Sequence, residues 1–445
     1  MKINQLKDKK IAIVGFGQEG RSLANFLKKK KIKEIFILDE KRELKIPAFF
    51  KKRLGENYLR NLSEFDLIFL SPGISPKRRE FERCQEKISS ATELFFDNFP
   101  GKIIGVTGTK GKGTTARLIY RILKKAKSRE KVFLGGNIGK PLISFLEKAD
   151  KKTIMIAELS SFQLQNLKKS PRISLLTNLD KDHLDYHSSL REYQQLKLNI
   201  FRFQKKKDLA IADLSLKKRV EKINQAKKLF FSLSNKKSNA FFENGWLKVR
   251  IKNKERKILS EKEIKLPGRH LKKDILGSVL LASSLRIKKE VIAKIVKSYR
   301  PDKHRLEKFF QKEKIIFYND SSATNPLATV EAIKSFSLPM ILILGGKNKG
   351  FDYQKLCSTI KKKNKLIKLV ILFGENKDQL KKLLPKDIKK IILSDFKKIG
   401  QEIKKNLSFD RGIVLFSPAA SSLDYFENYQ ERGRVFKEII RRTFS

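Results

Sequence analysis

Residues 105–115 read GVTGTKGKGTT, between an apolar run that begins Lys102, Ile103, Ile104 and the helical pattern ARLIYRIL. The order is strand, glycine loop, helix. Gly108, Gly111 and Gly113 let the backbone approach an anion, and the helix that follows points its first N–H groups at the same place. Lys112 can reach the outer phosphates of a nucleotide. The strict phosphate-loop pattern G-x-x-x-x-G-K-[ST] nevertheless fails twice. Val106 stands where the first glycine belongs, and Gly113 stands where a hydroxyl would meet magnesium. An ordinary glycine turn is the competing reading of this stretch taken alone. If the loop does hold phosphate, the ligands of its metal must be sought elsewhere.

Similar units recur on both sides. Upstream, KIAIVGFGQEGRSLANFLKKK gives a strand, a turn through Gly15, Gly17 and Gly20, and a helix. EIFILDE ends a second strand at Asp39, and FDLIFLSPGIS ends a third at Ser71, Pro72 and Gly73. This is the nucleotide-binding half of a doubly wound sheet, with an acid spaced to meet a ribose. Downstream, TIMIAELSS and ISLLTNL are strands that end in polar residues. A lysine-rich stretch, residues 205–265, contains NAFFENGWLKVRI, a hairpin turning at Asn244 and Gly245. LPGRHLKKDILGSVLLASSL is a loop and an apolar helix. From Arg300 onward KIIFYND, PMILILGG, LVILFG and GIVLFSP alternate with helices. The expected fold class is α/β with three domains. These are a Rossmann-like N-terminal domain over residues 1–98, a central P-loop ATPase-type α/β domain over 99–300, and a C-terminal Rossmann-like α/β domain over 301–445.

Composition narrows the function classes. The 445 residues are 40% hydrophobic, which suits globular domains with real cores. No apolar run approaches the roughly 18 residues of a membrane span. The N-terminal apolar run has four residues before a glycine loop, so it reads as a first strand and not a signal peptide. Cys84 and Cys357 show no metal spacing, and a cytoplasmic enzyme with reduced thiols is expected. Lys and Arg number 101 against 47 Asp and Glu, a formal net charge of +54. The lysines are spread along the whole chain with no basic tail and no arginine-aromatic motif. They read as solvated faces, with no specific nucleic acid as partner, and their field would draw in phosphorylated substrates.

Ligands of parallel sheets collect at the carboxyl ends of the strands. MIAELSSFQL places Glu158 just past a buried strand, and LLTNLDKDHLDYH places Asp182, His183 and Asp185 after another. One carboxylate and one imidazole beside a triphosphate suit magnesium, which keeps several waters. Taken singly, Glu158 also reads as a helix-cap carboxylate and His183 as a surface or core histidine.

Eight segments then occur in one order: GVTGTKGKGTT, ELSSFQL, TNLDKDHLDYH, YQQLKLNIF, DKHRLE, NDSSATNP, LILGGKNKGFDY and SPAASSLDYFENYQERGRVF. Their order resembles that of the Mur ligases, over residues 11–436. ELSSFQL, SPGIS and the last segment resemble the members that add D-glutamate to UDP-N-acetylmuramoyl-L-alanine. The resemblance implies an ATP-dependent, amide-forming ligase that works through an acyl phosphate in cytoplasmic peptidoglycan precursor synthesis, as a monomer. It implies that Gly108, Thr109, Lys110, Gly111, Lys112, Gly113 and Thr114 hold the ATP phosphates, and that Asp274, Arg305 and Asp320 also meet the nucleotide. Glu158, His183 and a carbamylated Lys197 would bind magnesium, with Lys112, His183 and Lys197 as the catalytic group. Gln18, Glu19, Asp39, Glu40, Lys41, Gly73, Asn137 and His183 would border the UDP-sugar, and Thr324, Lys349, Ser422, Leu423 and Tyr429 the D-glutamate. The chain departs from the family pattern at Gly113, at Asp274 (often Asn, near adenine), at Ser322 (often Lys) and at Tyr429 (often Phe). Sites divided in this way imply closure of the third domain about a hinge near residues 299–303. Three other readings remain: an oxidoreductase using NAD at the first glycine turn, a basic nucleic-acid-binding protein, and a sister ligase that adds another amino acid.

Overall fold

Ile11–Val14 form β1, and all four residues are buried. Ile11 and Ile13 join one apolar cluster and Ala12 and Val14 another. Successive strand residues point to opposite faces, so an unbroken apolar run means a strand covered on both sides. The computed structural model describes residues 1–180, 189–264, 268–300 and 303–445, with Arg269 and His270 described by backbone alone. The chain divides into two compact units: Met1–Ile264 with Lys273–Ser298, and Lys265–Lys272 with Tyr299–Ser445.

The first unit contains two sheets. In the first, β1 is followed by α1 (Gln18–Lys29), β2 (Ile35–Asp39), β3 (Lys51–Leu54), β4 (Leu67–Leu70), β5 (Ile88–Ser89) and α2 (Ala91–Asn98). The strands are all parallel in the order β3-β2-β1-β4-β5, the doubly wound arrangement expected. The turn after β1 depends on glycine. Gly15 has φ +90°, and a Cβ on Gly20 would sit 2.1 Å from the Gly15 carbonyl oxygen.

The second sheet is built from β6 (Lys102–Thr107), α3 (Lys112–Ala126), β7 (Val132–Gly136), β8 (Ile154–Glu158), α4 (Ser161–Gln165), β9 (Ile173–Leu176), α5 (Leu190–Arg202), β10 (Leu209–Asp213), α6 (Lys217–Glu221) and β11 (Lys227–Phe231). Then come β12 (Ala240–Glu243), β13 (Trp246–Ile251), β14 (Lys254–Ser260), α7 (Arg269–Ser284) and α8 (Lys289–Ser298). Nine strands run in the order β14-β13-β12-β11-β10-β9-β6-β8-β7. From β7 to β11 the pairing is parallel, and β12, β13 and β14 are antiparallel neighbours. The hairpin turns at Asn244 (φ 49°) and Gly245 (φ 73°), the positive pair that a two-residue turn requires.

The second unit contains the third sheet: β15 (Glu307–Lys312), β16 (Lys314–Asn319), α9 (Pro326–Lys334), β17 (Met340–Gly345), α10 (Gln354–Lys362), β18 (Ile367–Phe373), α11 (Lys377–Leu383), β19 (Lys390–Ile392), α12 (Ile399–Lys405), β20 (Arg411–Phe416) and α13 (Tyr429–Phe444). Its order is β15-β16-β20-β17-β18-β19, parallel except for β15. β17 is buried throughout, with Leu342 and Leu344 in one core and Ile341 and Ile343 in the other. Of the expected hinge, residues 301 and 302 lie outside the described residues. Among the described residues no helix is long and apolar enough to cross a membrane.

Candidate active site

The glycine loop joins β6 to α3, and its backbone is fixed by the segment after β9. Thr109 N–H donates to the Asn178 carbonyl at 3.1 Å, and Lys110 N–H donates to Asn178 Oδ1 at 2.9 Å. The Lys110 carbonyl accepts from Thr177 Oγ1 at 2.6 Å and from Asn178 Nδ2 at 2.9 Å. Two glycines are required by close approach. A Cβ on Gly108 (φ +146°) would lie 1.9 Å from Thr177 Oγ1, and one on Gly111 (φ +79°) 2.0 Å from Asp274 Oδ1. Gly111 is the N-cap of α3 and offers no side chain to the first N–H groups, so they remain directed at the loop. Lys112 Nζ folds back to donate to the Thr109 carbonyl at 3.0 Å. Thr114 is buried on the first turn of α3. Asp274, expected at the nucleotide, is buried with its carboxylate against the loop glycine.

Glu158 is the last residue of β8, between Val106 of β6 and Gly136 of β7. It does not cap the next helix, as a bare reading of the sequence allowed. Ser160 caps α4, in a reciprocal box with Gln163. Glu158 Oε1 accepts from Asn137 Nδ2 at 3.0 Å, and Asn137 N–H donates to the Glu158 carbonyl at 2.9 Å. Oε2 is buried with no hydrogen-bond partner in the described structure, in a residue only 3% exposed. It lies 3.4 Å from the place a Cβ on Gly113 would occupy. A buried carboxylate oxygen without a donor fits a cation ligand. Lys197, on α5, is 2% exposed, with Nζ 4.6 Å from the centre of the Tyr193 ring. The Tyr193 hydroxyl donates to Thr109 Oγ1 at 3.3 Å, so this helix turn also touches the loop. His183, with Asp182 and Asp185, lies outside the described residues. Among the described residues no three of His, Cys, Asp and Glu cluster as metal ligands.

At the first sheet, Asp39 uses both oxygens on backbone. Oδ2 accepts from Phe16 N–H at 2.7 Å and Oδ1 from Lys41 N–H at 3.0 Å, which shapes the turn above β1 and β2. Gln18 Nε2 donates to the Gly139 carbonyl at 3.3 Å. Glu40, Lys41 and Gly73 are exposed on the same strand ends. Glu19 accepts from Gln163 Nε2 at 3.2 Å and from Thr92 Oγ1 at 3.3 Å. Burial raises its pKa above the ordinary carboxylate value, against the pull of those two bonds. A cavity beside it is lined by Ser71, Ser90, Thr92, Phe162 and Gln163 among others. Sequence reading missed these residues as site residues, although SPGIS and ELSSFQL contained three of them.

In the second unit, the loops after β16, β17 and β20 share one edge because those strands are neighbours. They carry Thr324, Lys349 and Ser422 with Leu423 respectively, and Tyr429 opens α13. Ser422 is buried, Leu423 is 52% exposed and Lys349 is exposed. Arg432 was not anticipated. It is fully buried and joins two loops, with Nε to Ser321 Oγ, Nη2 to the Ser321 carbonyl at 2.8 Å and Nη1 to the Ala420 carbonyl at 3.1 Å. Asp320 is buried, accepting from Ser417 Oγ at 2.8 Å and Leu306 N–H at 3.0 Å. Burial pushes its pKa up to about 7, against those two bonds and the charge of Arg305. Arg305 itself is exposed.

A phosphate-type loop beside a carboxylate suited to a cation defines the class as a nucleotide-using α/β enzyme. Comparison with known proteins then specifies the family. Residues 106–282 match the Mur ligase middle domain, and residues 9–90 the Mur ligase MurD-like N-terminal domain. The UDP-N-acetylmuramoylalanine--D-glutamate ligase of Clostridium botulinum (strain Kyoto / Type A2) is 34% identical, over 98% of this chain and 97% of its own length. The enzyme of the same name from Ruminiclostridium cellulolyticum is 32% identical over the same shares. The MurF ligase of Thermotoga maritima, solved in complex with ADP, superposes with a TM-score of 0.60 at 16% identity, covering 100% of this chain and 96% of that one. The chain belongs to the Mur ligase family.

Proposed function

We propose that this protein is an ATP-dependent ligase that joins D-glutamate to UDP-N-acetylmuramoyl-L-alanine in cytoplasmic peptidoglycan precursor synthesis, acting as a monomer. The observation that carries the chemistry is Glu158 Oε2, buried without a hydrogen-bond partner among the described residues and facing the first turn of α3. The choice of amino acid rests on the likeness to D-glutamate ligases along nearly the whole chain.

A carboxylate does not acylate an amine, because oxide is its leaving group. Transfer of the ATP γ-phosphoryl group to the L-alanyl carboxylate gives an acyl phosphate. The D-glutamate amine, deprotonated, attacks its carbonyl carbon, and the tetrahedral intermediate collapses to the amide and inorganic phosphate. Residues 108–114 would hold the phosphates through backbone N–H groups, and Lys112 would donate to the oxygens of the moving phosphoryl group. Glu158, His183 and Lys197 would hold magnesium, with Lys197 as a carbamate that presents oxygens in place of an ammonium. Bound there, magnesium spreads the charge of the phosphoryl group. Asp274, Arg305 and Asp320 would serve the rest of the nucleotide. Gln18, Glu19, Asp39, Glu40, Lys41, Gly73 and Asn137 would border the UDP-sugar. Thr324, Ser422, Leu423 and Tyr429 would bind D-glutamate, with Lys349 as the cation for its side-chain carboxylate.

The test is phosphate release from ATP with UDP-N-acetylmuramoyl-L-alanine, comparing D-glutamate with L-alanine, L-lysine and diaminopimelate. Release dependent on D-glutamate is expected, and release with a different amino acid alone would overturn the assignment. Lys197→Ala is expected to lose activity and to regain part of it with bicarbonate or a short carboxylic acid. Activity unchanged in that variant would remove the carbamate from the mechanism.

A further inference from the structure

Arg117 stands one helical turn after Gly113 on α3. Long side chains on a helix lean toward its N-terminus and cover the preceding turn. Arg117 does this over Gly113. A Cβ built on Gly113 would meet Arg117 Nη1 at 3.7 Å and Glu158 Oε2 at 3.4 Å. The guanidinium and the carboxylate oxygen thus lie within 4 Å of the point from which the loop hydroxyl would spring. Glycine leaves that space open, and Arg117 is half-buried beside it. A guanidinium has five N–H donors and no free lone pair, so it cannot take the hydroxyl's place as a metal ligand. It can form paired hydrogen bonds to phosphate oxygens, for which its planar fork is well matched.

We propose that Arg117 is a phosphate-binding residue of this ligase, its guanidinium donating to the terminal phosphoryl oxygens of ATP across the space that Gly113 leaves beside Glu158. This rests on the reading of residues 108–114 as the ATP phosphate loop. The missing hydroxyl is then not replaced by another metal ligand. Part of the charge neutralisation passes from the metal shell to a fixed cation, so ATP binding depends less on magnesium than in a loop with serine or threonine at this place. Glu158 keeps the charge of the pocket balanced while its free oxygen remains available to a metal.

The test is the affinity of the full chain for ATP and ADP, by displacement of a fluorescent ATP analogue, with magnesium and with a chelator. Arg117→Ala is expected to weaken ATP binding about tenfold or more, as for loss of a charged hydrogen bond. ADP should be affected less, and the magnesium-free binding of the parent protein should be lost. Arg117→Lys should recover only part. Equal ATP affinity in the parent and Arg117→Ala, while Lys112→Ala weakens it, would overturn the role of Arg117 and leave the loop reading intact. Equal losses for ADP and ATP would also overturn it. If Lys112→Ala has no effect either, the loop reading itself fails. Should a melting curve show Arg117→Ala unfolded, the same criteria apply to Arg117→Gln.

Discussion

Glu158 and Asp320 are both buried carboxylates, and neutralising either should spare the fold, at a cost in activity for Glu158 and with a dependence on pH for Asp320. Glu158 Oε2 is buried without a donor among the described residues, so its charge costs stability. Glu158→Gln should therefore lower ligase activity by about a hundredfold or more while leaving the melting temperature unchanged or about 2–4 °C higher. A clear fall in melting temperature would show that the carboxylate is structural. Asp320 is a matter of pH. Its folded pKa is raised from 3.8 to about 7, chiefly by burial. The folded state therefore holds a proton that the unfolded chain has released between about pH 4 and 7. Stability from this group is present below about pH 4 and is lost as pH rises through about 7. Asp320→Asn should become progressively more stable relative to the parent across that interval, by up to about 4 kcal/mol at about 1.4 kcal/mol per pH unit, and level off above it. His304, buried with its pKa lowered by desolvation and by Lys437, has the opposite slope just below its ordinary value. Comparing urea midpoints of the parent and Asp320→Asn cancels that term. A difference independent of pH would refute the assignment.

Short connections between elements place the site. The N-cap of α4, Ser160, stands two residues after Glu158, and Gln163 both completes that cap and donates to Glu19 on α1. The first glycine turn is thereby joined to the strand end that carries the carboxylate. Gln163→Ala should cost about 1–2 kcal/mol through the lost cap and the carboxylate bond. It should raise KM for the UDP-sugar more than for ATP, and a uniform change in both would count against this coupling. In the second unit the same work falls on one side chain. Arg432 projects from α13 and fastens the loop after β16 to the loop after β20. Its three acceptors are neutral and buried, and nothing else in the fork geometry can be supplied by an ammonium. Arg432→Lys should lose about 3 kcal/mol or more and raise KM for D-glutamate before that for ATP. A lysine variant with parental KM for D-glutamate would show that the loops hold without the clamp.

Across the whole molecule, the sequence was most readable where a strand is apolar on both faces. β1, β6, β8, β17 and β20 stand out as apolar runs ending in glycine or polar residues. β3 did not, because Lys51, Lys52, Arg53 and Leu54 form an edge strand with little apolar signal, and β5 and β19 are edges of two and three residues. The phosphate loop was legible from its glycines. The partners that require those glycines, Thr177 and Asp274, are distant in sequence, and only folding brings them to Gly108 and Gly111. Arg117 was hidden because an arginine on an amphipathic helix reads as a solvent-facing residue. Roles for Thr324, Lys349 and Leu423 came from family resemblance, since no spacing rule marks a D-glutamate site. The charge is a property of no single residue, and it leads to a kinetic expectation. A net +54 carried by lysines along the entire chain makes a field that attracts ATP and a UDP-sugar alike. The Debye length falls from about 30 Å at about 0.01 M salt to about 8 Å at about 0.15 M. Over that range kcat/KM for both phosphorylated substrates should fall severalfold while kcat stays nearly constant, because capture is screened and chemistry inside the site is not. D-glutamate, with one net negative charge, should show the smallest change. A fall in kcat of the same size would place the salt effect in the chemical step and leave the lysine excess without a part in substrate capture.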